Sequence, residues 1–84
     1  MAQLIISYPD APHKNRVVFS GKIEDMKYHL DAIEKRIERE QLSKFGKVFT
    51  EFARIDDCTL QTCIHNNFDT DDEETMDINY SIFP

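Results

Sequence analysis

Three soft donor side chains, Cys58, Cys63 and His65, fall within eight residues of one another and offer the densest metal or nucleophile chemistry in the chain. Structural zinc sites pair their ligands as C-x2-4-C, with a second pair further along. Here a C-x4-C stands with a single C-x-H, so a fourth ligand would have to be a carboxylate or distant His13 or His29. On a strand Cys63 and His65 share a face, but ordinary strand residues account for the same pattern. As a nucleophile and base the two could touch. Nothing in the sequence lowers the thiol pKa, however, and the acidic surroundings raise it. The two glycines cannot supply a Walker loop or a dinucleotide fingerprint, and no G-x-S-x-G occurs. No catalytic residue, metal ligand or cofactor is therefore expected.

The acidic run Asp69-Thr70-Asp71-Asp72-Glu73-Glu74 invites a calcium reading. Asp69, Asp71 and Glu73 match positions 1, 3 and 5 of an EF-hand loop, but Glu74 stands where glycine is required and Tyr80 where the bidentate glutamate should be. A solvated loop that keeps the protein soluble and discourages edge pairing explains the run without a cation.

The charge distribution says more. The last Lys or Arg is Arg54, and after it come Asp56, Asp57, Asp69, Asp71, Asp72, Glu73, Glu74 and Asp77. Residues 55–84 thus carry −8 and residues 1–54 carry +2, within a total of −6. Such a balance turns the chain away from nucleic acid and toward basic protein surfaces. The basic spot Lys35, Arg36 and Arg39 is interrupted by Asp31, Glu34, Glu38 and Glu40, a poor footprint for nucleic acid.

The elements that would carry these groups follow from periodicity. Leu4, Ile6 and Tyr8 alternate with Ile5 and Ser7, Pro9 to Pro12 reads as a loop, and Arg16 to Phe19 resumes strand character. Residues 3–8 and 15–20 are expected to form a hairpin. Ile23, Met26, Leu30, Ile33 and Ile37 form one helical stripe, predicting a helix over 22–44 with Glu24 and Asp25 in its first turn and Lys44 in its last. Asp31–Lys35 and Glu40–Lys44 are expected i,i+4 pairs, and Gly46 an expected stop. Packing on the protein's own sheet is favoured over a coiled-coil seam, which Glu40 and Lys44 would break. His29, off the stripe, is expected to be half-exposed and structural.

Residues 47–55 fit either a strand or a continuing helix through Phe45, Phe49, Phe52 and Ile55. Gly46 and the β-branched and aromatic content favour the strand. Leu60 to Ile64 and Met76 to Ile82 alternate as half-buried strands, with Asp56-Asp57 a turn and Asn66 to Thr75 a longer acidic loop. The order ββαβββ predicts an α+β fold, one helix packed on a small five-stranded antiparallel sheet, as a single domain over 1–84.

With no apolar run near 20 residues and Leu4–Ile6 too short for a signal peptide, the expectation is a cytoplasmic protein with no membrane contact. Cys58 and Cys63 would be about 16 Å apart on one strand, so free thiols are expected. Few large apolar residues remain to wall a deep pocket. The functional expectation is a non-catalytic acidic binding module. It docks on a basic surface of a partner, such as a nucleic-acid-binding enzyme, and inhibits or modulates it through the eight acids after Arg54. By charge and size it resembles the nucleic-acid-mimicking inhibitors of phages and mobile elements. The alternative is a structural protein that forms a homodimer or larger homo-oligomer through an open sheet face or the helix stripe, with its charge serving solubility alone.

Overall fold

The alternation of Ala2, Leu4 and Ile6, all buried, with Gln3, Ile5 and Ser7 makes the first strand, β1 (Ala2–Ser7). A computed structural model describes residues 1–43 and 48–84, and side chains over 1–41 and 48–84. After β1 the chain turns through a short 3-10 segment, Pro12–Lys14, where the Asn15 side chain accepts the Tyr8 N–H at 2.7 Å. It then returns as β2 (Arg16–Gly21). The expected first hairpin is present, with a bulge at Val18 where pairing passes from Leu4–Phe19 to Ile5–Val17. Gly21 has a φ of 155°, a conformation that L side chains rarely adopt, and it turns the chain from β2 into the helix α1 (Ile23–Ser43). The expected helix end at Lys44, the Glu40–Lys44 pair and the Gly46 stop lie outside the described residues.

Three strands follow: β3 (Phe49–Asp56), β4 (Thr59–Asn66) and β5 (Glu74–Phe83). From Phe49 onward the ambiguous segment is therefore strand, as its aromatic and β-branched residues favour. All pairings are antiparallel and the sheet order is β2-β1-β5-β4-β3. One helix thus lies on a five-stranded antiparallel sheet in the order ββαβββ. The helix explains the crossing from one edge to the other. Its 21 residues reach about 31 Å, enough to span four inter-strand spacings of about 4.8 Å.

Register divides the sheet into two faces. Toward the helix point Ala2, Leu4, Ile6, Phe52, Leu60, Thr62, Ile78, Tyr80 and Ile82, which meet the helical stripe. Leu4, Met26, Leu30 and Leu60 are fully buried, and burying each contributes roughly 1.5–3 kcal/mol. Thr62 is the one buried polar residue among those described, and its hydroxyl donates to the Ile78 carbonyl at 2.7 Å.

Arg54 joins the helix to the sheet. Its Nη1 lies 2.8 Å from both Asp31 Oδ1 and Glu34 Oε1, its Nε donates to the Asp56 carbonyl and its Nη2 to the Asp57 carbonyl. Burial works against the guanidinium charge, but the hydrogen bonds it donates to Asp31 and Glu34, with their negative charges, outweigh it and raise the pKa above the ordinary arginine value. Asp31 therefore reaches Arg54 across the fold, where an i,i+4 partner was expected on its own helix. Further along, the Gln41 side-chain amide donates to the Thr50 carbonyl. His29 is half-buried and stacks on Phe19, with centroids 3.9 Å apart.

Candidate functional site: the open sheet face and the acidic loop

The face of the sheet away from α1 is built in rows. Glu51, Cys63 and Asp77 stand side by side across β3, β4 and β5, with Phe49, His65 and Thr75 in the next row. Ala53, Gln61, Asn79 and Ser7 continue on the other side, and Ile5, Val17 and Ser81 lie beyond. Among the described residues no Lys or Arg belongs to these rows. Arg54 and Arg16 share their registers with Leu60 and Ile6, on the helix side. The rows enclose an open hollow of about 370 Å³, with Glu51 and Asp77 flanking Cys63 on its floor and Gln61 and Asn79 beside them.

The soft donors do not converge on one point: Cys58 packs against the core, while Cys63 and His65 on the open face each have carboxylates as neighbours. Burial pushes the Cys63 thiol pKa up, and its hydrogen bond to Asp77 together with the charges of Asp77, Glu51 and Glu73 pushes it further. Such a thiol is a poor nucleophile at neutral pH. His65, whose side chain is 13% exposed, sits instead between two acids. Its Nε2 is 2.9 Å from Glu51 Oε1 and its Nδ1 3.3 Å from Glu73 Oε2. The Glu51 contact is close but misaligned with the ring N–H, so Nε2 has an ionic neighbour and no hydrogen bond. Phe49 and Phe68 pack on the ring at centroid distances of 5.8 and 5.7 Å. Among the described residues no group of three or more His, Cys, Asp and Glu side chains is placed to hold a metal ion.

The acidic loop is ordered by its own side chains. Asn67 and Asp69 adopt left-handed conformations, φ 54° and 62°, which these two residue types tolerate better than others. The Thr70 hydroxyl donates to the Asn67 carbonyl at 2.6 Å. Glu73 turns inward, where its Oε1 accepts the Asp69 N–H at 3.0 Å and its Oε2 faces His65. That backbone hydrogen bond first, and His65 second, lower its pKa below the usual glutamate range.

The eight expected contact residues therefore divide by role. Asp71, Asp72 and Glu74 are exposed, and their carboxylates take no ion-pair partner among the described residues. Asp69 is exposed beside them. Glu73 holds the loop together, and Asp77 faces the open hollow with the Cys63 thiol as its neighbour. Asp56 and Asp57 lie at the turn beyond the opposite end of β4, where Asp56 Oδ1 accepts the Cys58 N–H at 2.8 Å. Seven strand steps separate the two ends by about 23 Å, so these acids form a second patch.

Glu51 joins the first patch and was missed. It precedes Arg54 and so fell into the balanced half of the chain. Its parity with Phe49 and Ala53 could have found it, but apolar residues on both faces of β3 blur the alternation. No protein-family model, curated protein or solved structure matches this chain.

Proposed function

We propose that this protein is a non-catalytic acidic module that docks on a basic surface of another protein and inhibits or modulates it. The observation that carries the reading is the partition of basic side chains, which among the described residues stay off the open face of the sheet. The open face bears Glu51 and Asp77 with no Lys or Arg among the described residues, and exposed Asp69, Asp71 and Asp72 stand in the loop between β4 and β5, with exposed Glu74 at the start of β5. The exposed bases Lys35, Arg36 and Arg39 sit on α1 instead. A surface of one sign raises the on-rate for an oppositely charged partner and makes binding salt-sensitive. A protein that itself binds nucleic acid presents such a basic surface, and a nucleic-acid-binding enzyme is the target class that fits. The proposed setting is the cytoplasm, where the free thiols of Cys58 and Cys63 would stay reduced.

The test compares wild type with D69N/D71N/D72N/E74Q, which removes loop charge and leaves the Glu73–His65 contact in place. Each is used to capture proteins from a lysate at low and high salt. The captured protein is then assayed for its own nucleic-acid binding with each form added. Wild type should capture a basic protein in low salt and suppress its nucleic-acid binding, and the variant should do neither. Equal capture and equal suppression by both forms would refute the reading.

A further inference from the structure

The order β2-β1-β5-β4-β3 leaves two sheet edges, and they differ in kind. The β2 edge is six residues long and is broken by the bulge at Val18. A bulge twists an edge and spoils it as a template for a further strand. By contrast, β3 has eight residues, pairs with β4 without interruption from Phe49 to Arg54, and contains no Pro, Lys or Gly. On its other side no strand of the described residues pairs with it.

In an antiparallel ladder every second residue directs its N–H and C=O away from its partner strand. The Thr50 carbonyl receives the Gln41 side-chain amide, so the fold itself supplies a donor to this strand from outside the sheet. Period two then groups Phe52 and Arg54 with Thr50 as the residues whose backbone groups face outward. Gln41 does for one rung what an added strand would do for the rest.

The chemistry around this edge selects the occupant. Glu51, with its side chain 61% exposed, stands on the strand, and exposed Asp56 and Asp57 stand at its end. Arg54 presents little opposing charge outward, because its guanidinium is held by Asp31, Glu34 and two carbonyls. Val48 and Ile55, each 55% exposed, offer apolar contact at the two ends. A second copy of the chain would bring its own Glu51, Asp56 and Asp57 to the same edge, like charge against like. We infer that the free edge of β3 receives an extended basic segment of the partner protein as a sixth strand, with Lys or Arg alternating with apolar residues. Main-chain hydrogen bonds would supply the affinity and the flanking acids the preference for basic residues. The inference rests on the reading that the partner is basic, and adds where and in what conformation it binds.

The probe is a synthetic octapeptide of alternating lysine and valine, blocked at both ends. Its control is the same peptide N-methylated at every backbone amide, which keeps the charge and removes the main-chain N–H donors that a strand ladder needs. Both are titrated at low salt into isotopically labelled full-length protein, and amide shifts and hydrogen exchange are followed. The first peptide should move the amides of Phe49–Asp56 and slow exchange at Phe52 and Arg54 by about tenfold. The methylated peptide should bind at least about tenfold more weakly.

Equal binding by both peptides, centred on Asp71, Asp72 and Glu74, would overturn the edge while leaving acidic docking intact. Failure of the unmethylated peptide to perturb β3 would overturn it as well. Shifts at β3 that grow with protein concentration before any peptide is added would assign the edge to a second copy and overturn the inference too.

Discussion

Arg54 reaches four partners, and replacing it with alanine asks whether α1 is held to the β3–β4 turn by that one side chain. The carbonyls of Asp56 and Asp57 each take a hydrogen bond worth about 1 kcal/mol. Glu34, with its side chain 27% exposed, forms a partly shielded ion pair of about 1 kcal/mol. Asp31 is 57% exposed, so solvent screening reduces its contribution to about 0.3 kcal/mol. Arg54→Ala should therefore cost about 3 kcal/mol, lowering Tm by roughly 12–24 °C in a domain of this size. Arg54→Lys keeps the charge but cannot address the helix carboxylates and the turn carbonyls together, so it should lose about 2 kcal/mol. The chain has no tryptophan, so far-UV circular dichroism is the probe, read by both thermal and urea unfolding. A double-mutant cycle with Glu34→Gln should return a coupling of about 1 kcal/mol. If Arg54→Lys unfolds at the wild-type temperature, charge alone suffices and the four-way geometry has no energetic role. If Arg54→Ala does so as well, the joint itself contributes nothing.

Two further perturbations follow from named contacts. Leu30 is fully buried, so Leu30→Ala should cost about 2–5 kcal/mol and, in so small a domain, leave much of the chain unfolded by circular dichroism at 37 °C; a loss under about 1 kcal/mol would mean that the helix is not seated on the sheet as described. In a Cys58→Ser background, Cys63 should react with a disulfide reagent more slowly than the urea-unfolded chain, at a pH midpoint above the ordinary thiol range, and Asp77→Asn should move that midpoint part of the way back, since burial is the larger cause. Because the folded state holds the thiol proton more tightly, stability should fall as pH rises through the unfolded-state thiol range, and Asp77→Asn should flatten that fall.

What could be read in the sequence and what could not separate along physical lines. Periodicity is local, so the stripe from Ile23 to Ile37 and the alternation from Met76 to Ile82 announced their elements directly. The balance between helix and strand at Val48 to Phe52 was tipped by side-chain type, and the fold agrees. Sheet order is not local. Nothing in the spacing of Asp77, Ile78 and Tyr80 says that β5 lies between β1 and β4, yet that placement sets Asp77 beside Cys63 and one strand from Glu51. Arg54 shows the same limit. As a letter it closed the basic part of the chain, while its partners Asp31 and Glu34 lie 23 and 20 residues away. Glu73 looked like any other loop acid until the left-handed turns at Asn67 and Asp69 curled the loop and brought it to His65.

The two acidic patches bear differently on the idea that this surface imitates nucleic acid. Duplex DNA carries about one charge per 1.7 Å, or roughly 13 phosphates over 23 Å. The present surface offers fewer carboxylates over that length, and Glu73 and Asp56 already serve the fold. The screening length at physiological salt is about 8 Å, well short of the separation between patches, so each acts on its own. A partner that contacts only the loop and open face would then respond to the loop variant and be indifferent to Asp56 and Asp57. A partner that spans both must carry two basic regions set about 23 Å apart. An added strand on β3 offers the shortest route between them, because β3 runs from beside His65 at Phe49 to the Asp56 turn. On this proposal charge would attract the partner to either end, and the strand edge would fix its direction and register between the two.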